Sequence, residues 1–222
     1  MKGFIAVKTI AEIATIRLGP PFRERIVHEP TGKFFVVQGK DVGSAGDLIL
    51  EGMVRITEVP GKGAPDTLAA GELVFQTRGL SYRAAAVPNE VPPMVAAGSL
   101  FILRPDPSSV TADYLVFFLN LPTTQTALRQ LATGSTIPNL RRSAIEQLAL
   151  PLPSLADQHK LVALSRLVHQ QADIETRLNA LRLQELHLLA TARADFVSGS
   201  TSKHRASNAV QNQSPDNAIS QR

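Results

Sequence analysis

The amino-acid sequence predicts an α+β protein: a mixed α/β head over residues 1–154, one long coiled-coil-forming helix over 155–197, and a polar tail over 198–222. Three observations carry that reading. Residues 155–197 run for more than forty positions without Gly or Pro, although the chain holds 14 Gly and 15 Pro. The head is cut by those residues into short runs rich in β-branched and aromatic side chains, the pattern of strands closed by turns. Beyond Gly199 the composition shifts to Ser, Asn, Gln and Lys with few apolar residues, a stretch expected to be disordered.

In chain order, residues 8–16 (KTIAEIATI) read as a short amphipathic turn or helix. Lys33–Gln38 (KFFVVQ) is a strand between Gly32 and Gly39, and residues 47–55 contain another short apolar run. Leu73–Gln76 follows Gly71 and reads as a buried strand, with 79–87 as its return and 99–103 as a further strand. A helix over 114–119 follows two cap candidates, Thr111 and Asp113, and a second helical stretch over 124–132 breaks at Gly134. Pro151, Pro153 and Ser154 stop the chain ahead of the long helix, where Ser154 or Asp157 can cap the free N–H groups of the first turn.

Read in sevens, Leu164, Gln171, Leu178, Glu185 and Ala192 form one column, and Leu167, Ile174, Leu181 and Leu188 form a second, three residues further on. Leu161, Val168, Leu189 and Phe196 widen the stripe. A 3.5-residue repeat over four heptads is the pattern of a helix that supercoils against another helix. At 1.5 Å per residue it spans roughly 60 Å. Residues 1–154 offer no second helix of that length to cover the stripe. The seam therefore calls for a partner helix. Its predicted dimerisation residues are Leu164, Leu167, Gln171, Ile174, Leu178, Leu181, Glu185 and Leu188.

Composition excludes several functions. With no Cys there is neither a disulfide framework nor a thiol nucleophile. No run of 18 apolar residues exists and the N-terminal apolar run is too short for a signal peptide, so a cytoplasmic protein without membrane contact is expected. Net charge is +4 with 15 basic against 13 acidic groups in the head, a balance that permits a polyanionic partner without demanding one. The five His residues show no spacing with carboxylates that would hold a metal, and Gly61-Lys62-Gly63 lacks the spacing of a phosphate-binding loop. Gly-Pro-Pro-Phe at 19–22 resembles the catalytic tetrapeptide of amino-methyltransferases. However, Gly19 stands where an amide or carboxylate must grip the target amine, and no glycine-rich cofactor loop precedes it. It reads as a turn. No catalytic residue, metal or cofactor is expected in this chain.

What remains is a set of polar loops beside strands. Residues 22–25 (FRER), 38–41 (QGKD) and 76–83 (QTRGLSYR) supply Arg23, Arg25, Gln38, Lys40, Gln76, Arg78, Tyr82 and Arg83. Arg reads guanine bidentately, Gln reads adenine, and Tyr can stack on a base or donate to a phosphate. Each could equally be a solvated loop residue.

The order of the segments carries a resemblance. Gly71–Gly79 (GELVFQTRG), then 113–120 (DYLVFFLN), 132–140 (ATGSTIPNL) and 148–162 (LALPLPSLADQHKLV) run straight into the long helix. This resembles the target-recognition domain and long helix of the specificity (S) subunits of type I restriction-modification systems, over about residues 4–197. The resemblance implies a head that reads one half of a bipartite double-stranded DNA site. It also implies a helix that acts as spacer and docks the DNA methyltransferase (M) subunits, with the motor-nuclease (R) subunit joining to restrict. S-adenosylmethionine would then sit on the methyltransferase. By position, Gly134, Ser135 and Thr136 fall on the family's Gly-Ser-Thr loop, where they can hold a phosphate at a helix start or merely cap a helix. Asn139, Arg141 and Arg142 follow and can extend that contact. A full S subunit has two domains and two helices, whereas this sequence has one of each. It therefore looks like a half-subunit that forms a homodimer, antiparallel by analogy. Two other readings stay open: a homodimeric coiled-coil adaptor or regulator whose head binds protein, and an enzyme whose titratable groups converge only in three dimensions.

Overall fold

Residues 6–61, 63–134 and 136–210 are described by the structure, a computed structural model of the chain, with side chains through Thr191. The chain divides into two compact units, residues 1–167 and 168–222. The first contains β1 (Ala6–Thr9), α1 (Ile10–Ile13), β2 (Ala14–Leu18), β3 (Phe34–Val37), β4 (Val54–Ile56) and β5 (Leu73–Gln76). These are followed by β6 (Ala84–Ala86), β7 (Met94–Ala96), β8 (Leu100–Pro105), α2 (Ala112–Asn120), α3 (Pro122–Leu131), α4 (Arg142–Glu146) and β9 (Ala149–Leu152). The long helix α5 (Leu155–Val210) starts in the first unit.

Period-2 alternation on the strands sets the layers. The order β2-β8-β5-β6 makes a four-stranded antiparallel sheet, with Leu73 opposite Leu103 and Phe75 opposite Phe101. Those four side chains and Ala84 face the helices, packing against Ile10, Ile13, Leu115, Leu119, Leu128 and Ile145. Their neighbours Val74, Ala85, Leu100 and Ile102 point the other way, against Val37, Met94 and Ala96 of a second sheet ordered β4-β3-β7. In that sheet β3 pairs β4 antiparallel and β7 parallel. Its outer face, Val36, Ile56, Val95 and Ala97, is covered by Phe22, Ile26, Phe34 and Val59. One strand residue per face, repeated, builds three apolar layers.

The segment ahead of β3 crosses that outer face without regular secondary structure. A side chain at Gly19 would collide with the Ala96 carbonyl oxygen. Gly-Pro-Pro-Phe is thus an extended crossing rather than the turn expected from sequence, and its glycine is required by close backbone approach.

Residues 8–16 are also corrected: only Ile10–Ile13 is helical, between two strands. Thr9 donates its N–H and its hydroxyl to the Glu12 carboxylate at 2.7 and 2.8 Å, closing the turn. The flanks are drawn into strands by remote partners, β9 for β1 and β8 for β2, which no local periodicity reveals. The helix α5 likewise runs on through Gly199 to Val210 instead of ending at 197. A single interior glycine costs a helix only about 1 kcal/mol, and no proline follows until Pro215. Residues 211–222 of the expected disordered tail lie outside the described residues, as do the side chains of the seam positions Ala192 and Phe196.

Polar anchors fix the start of α5. Ser154 Oγ accepts from the Asp157 N–H at 3.2 Å and donates to its carboxylate at 2.8 Å, a capping pair built from both residues the sequence offered. Gln158 is fully buried: it accepts from the Thr111 N–H at 2.9 Å and donates to the Ser109 and Pro153 carbonyls at 3.0 Å each. The Tyr114 hydroxyl donates to the Pro151 carbonyl at 2.8 Å, and Arg166 pairs with Asp113 at 2.8 Å. Across the four-stranded sheet, buried Glu72 binds Arg17 of β2 at 2.9 Å, Arg104 of β8 at 2.8 Å and the Ala69 N–H at 3.0 Å.

Candidate nucleic-acid interface

Two loops that are far apart in sequence form one assembly. The loop between β5 and β6 is stitched to residues 133–140: the Leu140 N–H donates to the Thr77 carbonyl at 2.8 Å, and the Gly79 N–H to Pro138 at 3.0 Å. Arg78 and Asn139 face each other as a bridge pair, and Thr133 and Asn139 exchange N–H to carbonyl bonds of 3.0 and 2.8 Å. The Thr77 hydroxyl donates to Ser99 at 2.9 Å. Gly79 and Gly134 hold φ of 107° and 110°, a region that disfavours any other residue. Arg78, Gly134 and Asn139 are thereby carried on one braced surface.

Gln76 is spent inside this scaffold. Its amide nitrogen donates to the Gly39 carbonyl, and its amide oxygen accepts from the Arg83 N–H at 3.2 Å. It positions the 38–41 turn and offers no free edge to a base. Tyr82 is corrected outright: it is 1% exposed. The two-residue period that buries Ala84 among the helices buries Tyr82 with it and turns Arg83 outward. Burial raises the phenol above its ordinary range, and its hydroxyl has no hydrogen-bond partner among the described residues. A stacking or phosphate-donating role at the surface is incompatible with that placement.

Beside the braced loops lies a groove of about 780 Å³ lined by Gly19, Phe22, Glu24, Ile26, Gln38, Lys40, Arg78 and Ser99, among others. It brings together Gln38, Lys40 and Arg78. The turn carrying Lys40 is held by the Gln38 N–H donating to Asp41 at 2.8 Å, and burial pushes the Asp41 carboxyl above its usual range despite that bond and Lys40. Arg83 lines a separate recess of about 340 Å³ with Ser44, Asn120, Gln125 and Arg129. Arg23 and Arg25 line a third, of about 530 Å³, between residues 21–29 and 56–61.

The Gly-Ser-Thr loop is not at a helix start. The next helix, α4, begins at Arg142, with Arg141 as its N-cap, so Thr136 neither caps a helix nor presents a phosphate to one. Ser135 lies outside the described residues. Arg142 is engaged by Glu146 at 2.7 Å, one turn on. Arg23, Arg25, Arg78, Arg83 and Arg141, by contrast, form no ion pair among the described residues.

Three neighbours escaped the sequence reading. Arg129, in the last turn of α3, donates to the Leu80 carbonyl at 3.3 Å. Leu80 and Ile137 stand 84% and 64% exposed on the two stitched loops. The inward positions of α3, Gln125 and Leu128, would have marked Arg129 as a rim residue. Nothing local marks an exposed Leu80.

On α5 the predicted seam residues Leu164, Leu167, Gln171, Ile174, Leu178, Leu181, Glu185 and Leu188 are all exposed in the single chain. Gln171 donates to Glu175, one turn on, at 2.9 Å. Leu183 and Leu186, off the seam, are exposed as well. Among the described residues no His, Asp and Glu gather into a metal-binding group, and no helix is long and apolar enough to cross a membrane.

Among the described residues, a layered α/β head carries arginines without ion pairs around its strand ends and continues into a long helix with an exposed apolar seam. The chain belongs to the type I restriction-modification DNA specificity domain family, whose model matches residues 5–181. Its fold is shared with a chain of a type I restriction-modification system solved for complex assembly and conformational transition. The TM-score is 0.63 at 19% identity, covering 85% of this chain and 44% of that one. The HsdS subunit from Thermoanaerobacter tengcongensis aligns with a TM-score of 0.54 at 19% identity, over 78% of this chain and 39% of that one. The chain thus spans less than half the length of these solved relatives. No curated protein matches it.

Proposed function

We propose that this specificity-family chain reads one half of a bipartite double-stranded DNA site through the head and associates through α5 with a second copy and with DNA methyltransferase subunits. The observation that carries the DNA reading is Arg78. It is exposed, without an ion-pair partner among the described residues, and held on a braced loop beside Gln38 and Lys40. A guanidinium so placed is suited to the O6 and N7 acceptors of guanine, with Lys40 as a phosphate contact. Catalysis belongs to the methyltransferase, which would carry S-adenosylmethionine, and the restriction subunit would join the same assembly. The weak net charge of +4 suits a subunit that shares its DNA grip with a partner.

The seam supports association. Ile174 and Leu181 are 65% and 62% exposed, and leaving such side chains in water forgoes about 1.5–3 kcal/mol each. The test is co-purification of the full chain from its native host, followed by binding of the recovered assembly to DNA. Recovery of a DNA methyltransferase, with sequence-selective binding weakened by about 1–3 kcal/mol in Arg78→Ala, is the expected result. Recovery of a stable assembly that ignores DNA would favour the protein-binding adaptor instead.

A further inference from the structure

We propose that Glu24 is a specificity-determining residue that accepts a hydrogen bond from an exocyclic base amine in the DNA major groove, beside a guanine taken by Arg78. The inference rests on the half-site reading above and adds to it the acidic residue of the 22–25 loop.

The geometry comes from the irregular segment over the outer sheet. Phe22 and Ile26 are partly buried against Val36, Ile56, Val95 and Ala97, which fixes the chain at two points. Phe22, Glu24 and Ile26 line the groove that holds Gln38, Lys40 and Arg78, with the chain bending at Glu24. Arg23 and Arg25 line only the neighbouring recess, which Phe22, Glu24 and Ile26 also border. Glu24 is thereby presented to the same groove as Arg78 by its anchored neighbours.

The chemistry follows from what Glu24 lacks. It is exposed and has neither a hydrogen bond nor an ion pair among the described residues, although two cations line its groove. An ionised carboxylate only accepts hydrogen bonds. Against phosphates it is repulsive. Against base edges it can meet only donors, and the major groove offers two, cytosine N4 and adenine N6. Arg78 is its complement, a donor-only group suited to guanine O6 and N7. A groove holding one of each matches the edge of a G·C pair, or a guanine next to an adenine.

The experiment selects binders from a duplex pool with randomised positions, using the full chain in the assembly recovered with its methyltransferase, as wild type, E24A, E24Q and R78A. In the wild type we expect one position fixed as cytosine or adenine beside a guanine position that R78A relaxes. The base found there tells the two amines apart. E24A should lose preference at that one position by roughly 5- to 100-fold, keep the others, and bind non-specific DNA as tightly or more tightly. E24Q, which keeps an acceptor oxygen, should retain part of the preference. A selective wild type whose E24A binds all sequences more tightly with every base preference intact would overturn the Glu24 assignment alone. A wild-type assembly without any sequence preference would overturn the half-site reading and this assignment with it.

Discussion

Glu72 is the residue on which the sheet end depends. Burial pushes its carboxyl up, but hydrogen bonds from Arg17 and the Ala69 N–H, the Arg17 charge, and Arg104 outweigh it and hold it below the usual carboxylate range. A folded-state value below the unfolded one adds stability above about pH 4.5, and that stability is lost as pH falls through the folded value. Urea midpoints should therefore drop on acidification below about pH 4.5, and Glu72→Gln should flatten that part of the profile. Glu72→Ala should cost about 3 kcal/mol near neutrality, at the low end for a broken buried pair because Arg17 keeps Asp66 at 2.9 Å. Tyr82 makes the opposite case. Its buried hydroxyl has no partner, so Tyr82→Phe should leave stability within about 1 kcal/mol or raise it, with DNA binding unchanged. A variant that folds normally yet loses DNA binding would show that Tyr82 leaves the core when DNA is bound. Arg78 and Lys40, candidate DNA contacts from two separate loops, are exposed and line one groove, a juxtaposition no local signal in the sequence carries. The sequence misplaced Tyr82 and Gln76 because residue type was read without the strand register that turns one inward and engages the other.

Among the elements, those with strong local signals were legible: β3, β5 and β8 from apolar runs bounded by glycine, α2 from its Thr111 cap, and α5 from its heptads. What stayed hidden is paired over long distances. β1 joins β9, and β2 joins β8, so their existence depends on partners 83 to 146 residues away. The stitched loops are of the same kind, since nothing in residues 76–83 announces Pro138 or Leu140. Gly134→Ala tests their role: φ of 110° and a Cβ only 3.0 Å from the Ile137 carbonyl oxygen both oppose it. A loss of about 1–2 kcal/mol in urea unfolding is expected, accompanied by weaker DNA binding as Arg78 loses its brace. On α5, Ile174→Asp with Leu181→Asp should abolish self-association in sedimentation while the head keeps its thermal transition. In an antiparallel pair centred on Leu178, Gln171 of one copy meets Glu185 of the other, so cysteines at 171 and 185 should cross-link to each other. Cross-linking of 171 only to 171 would mean a parallel pair.

For the whole molecule, the proposed half-site reading and the exposed seam lead to the same arithmetic: one head would read one half-site, and two heads would be needed for two. A two-fold pair presents the same surface twice, so its target must be the same short sequence in inverted orientation. The most direct test is selection of duplexes from a random pool by the assembly of the full chain with its methyltransferase, compared with the Ile174→Asp, Leu181→Asp variant. The account predicts inverted copies of one half-site at a fixed spacing, with the spacing constraint lost in the variant. A single half-site, a direct repeat, or two unlike half-sites selected by the wild-type assembly would contradict it.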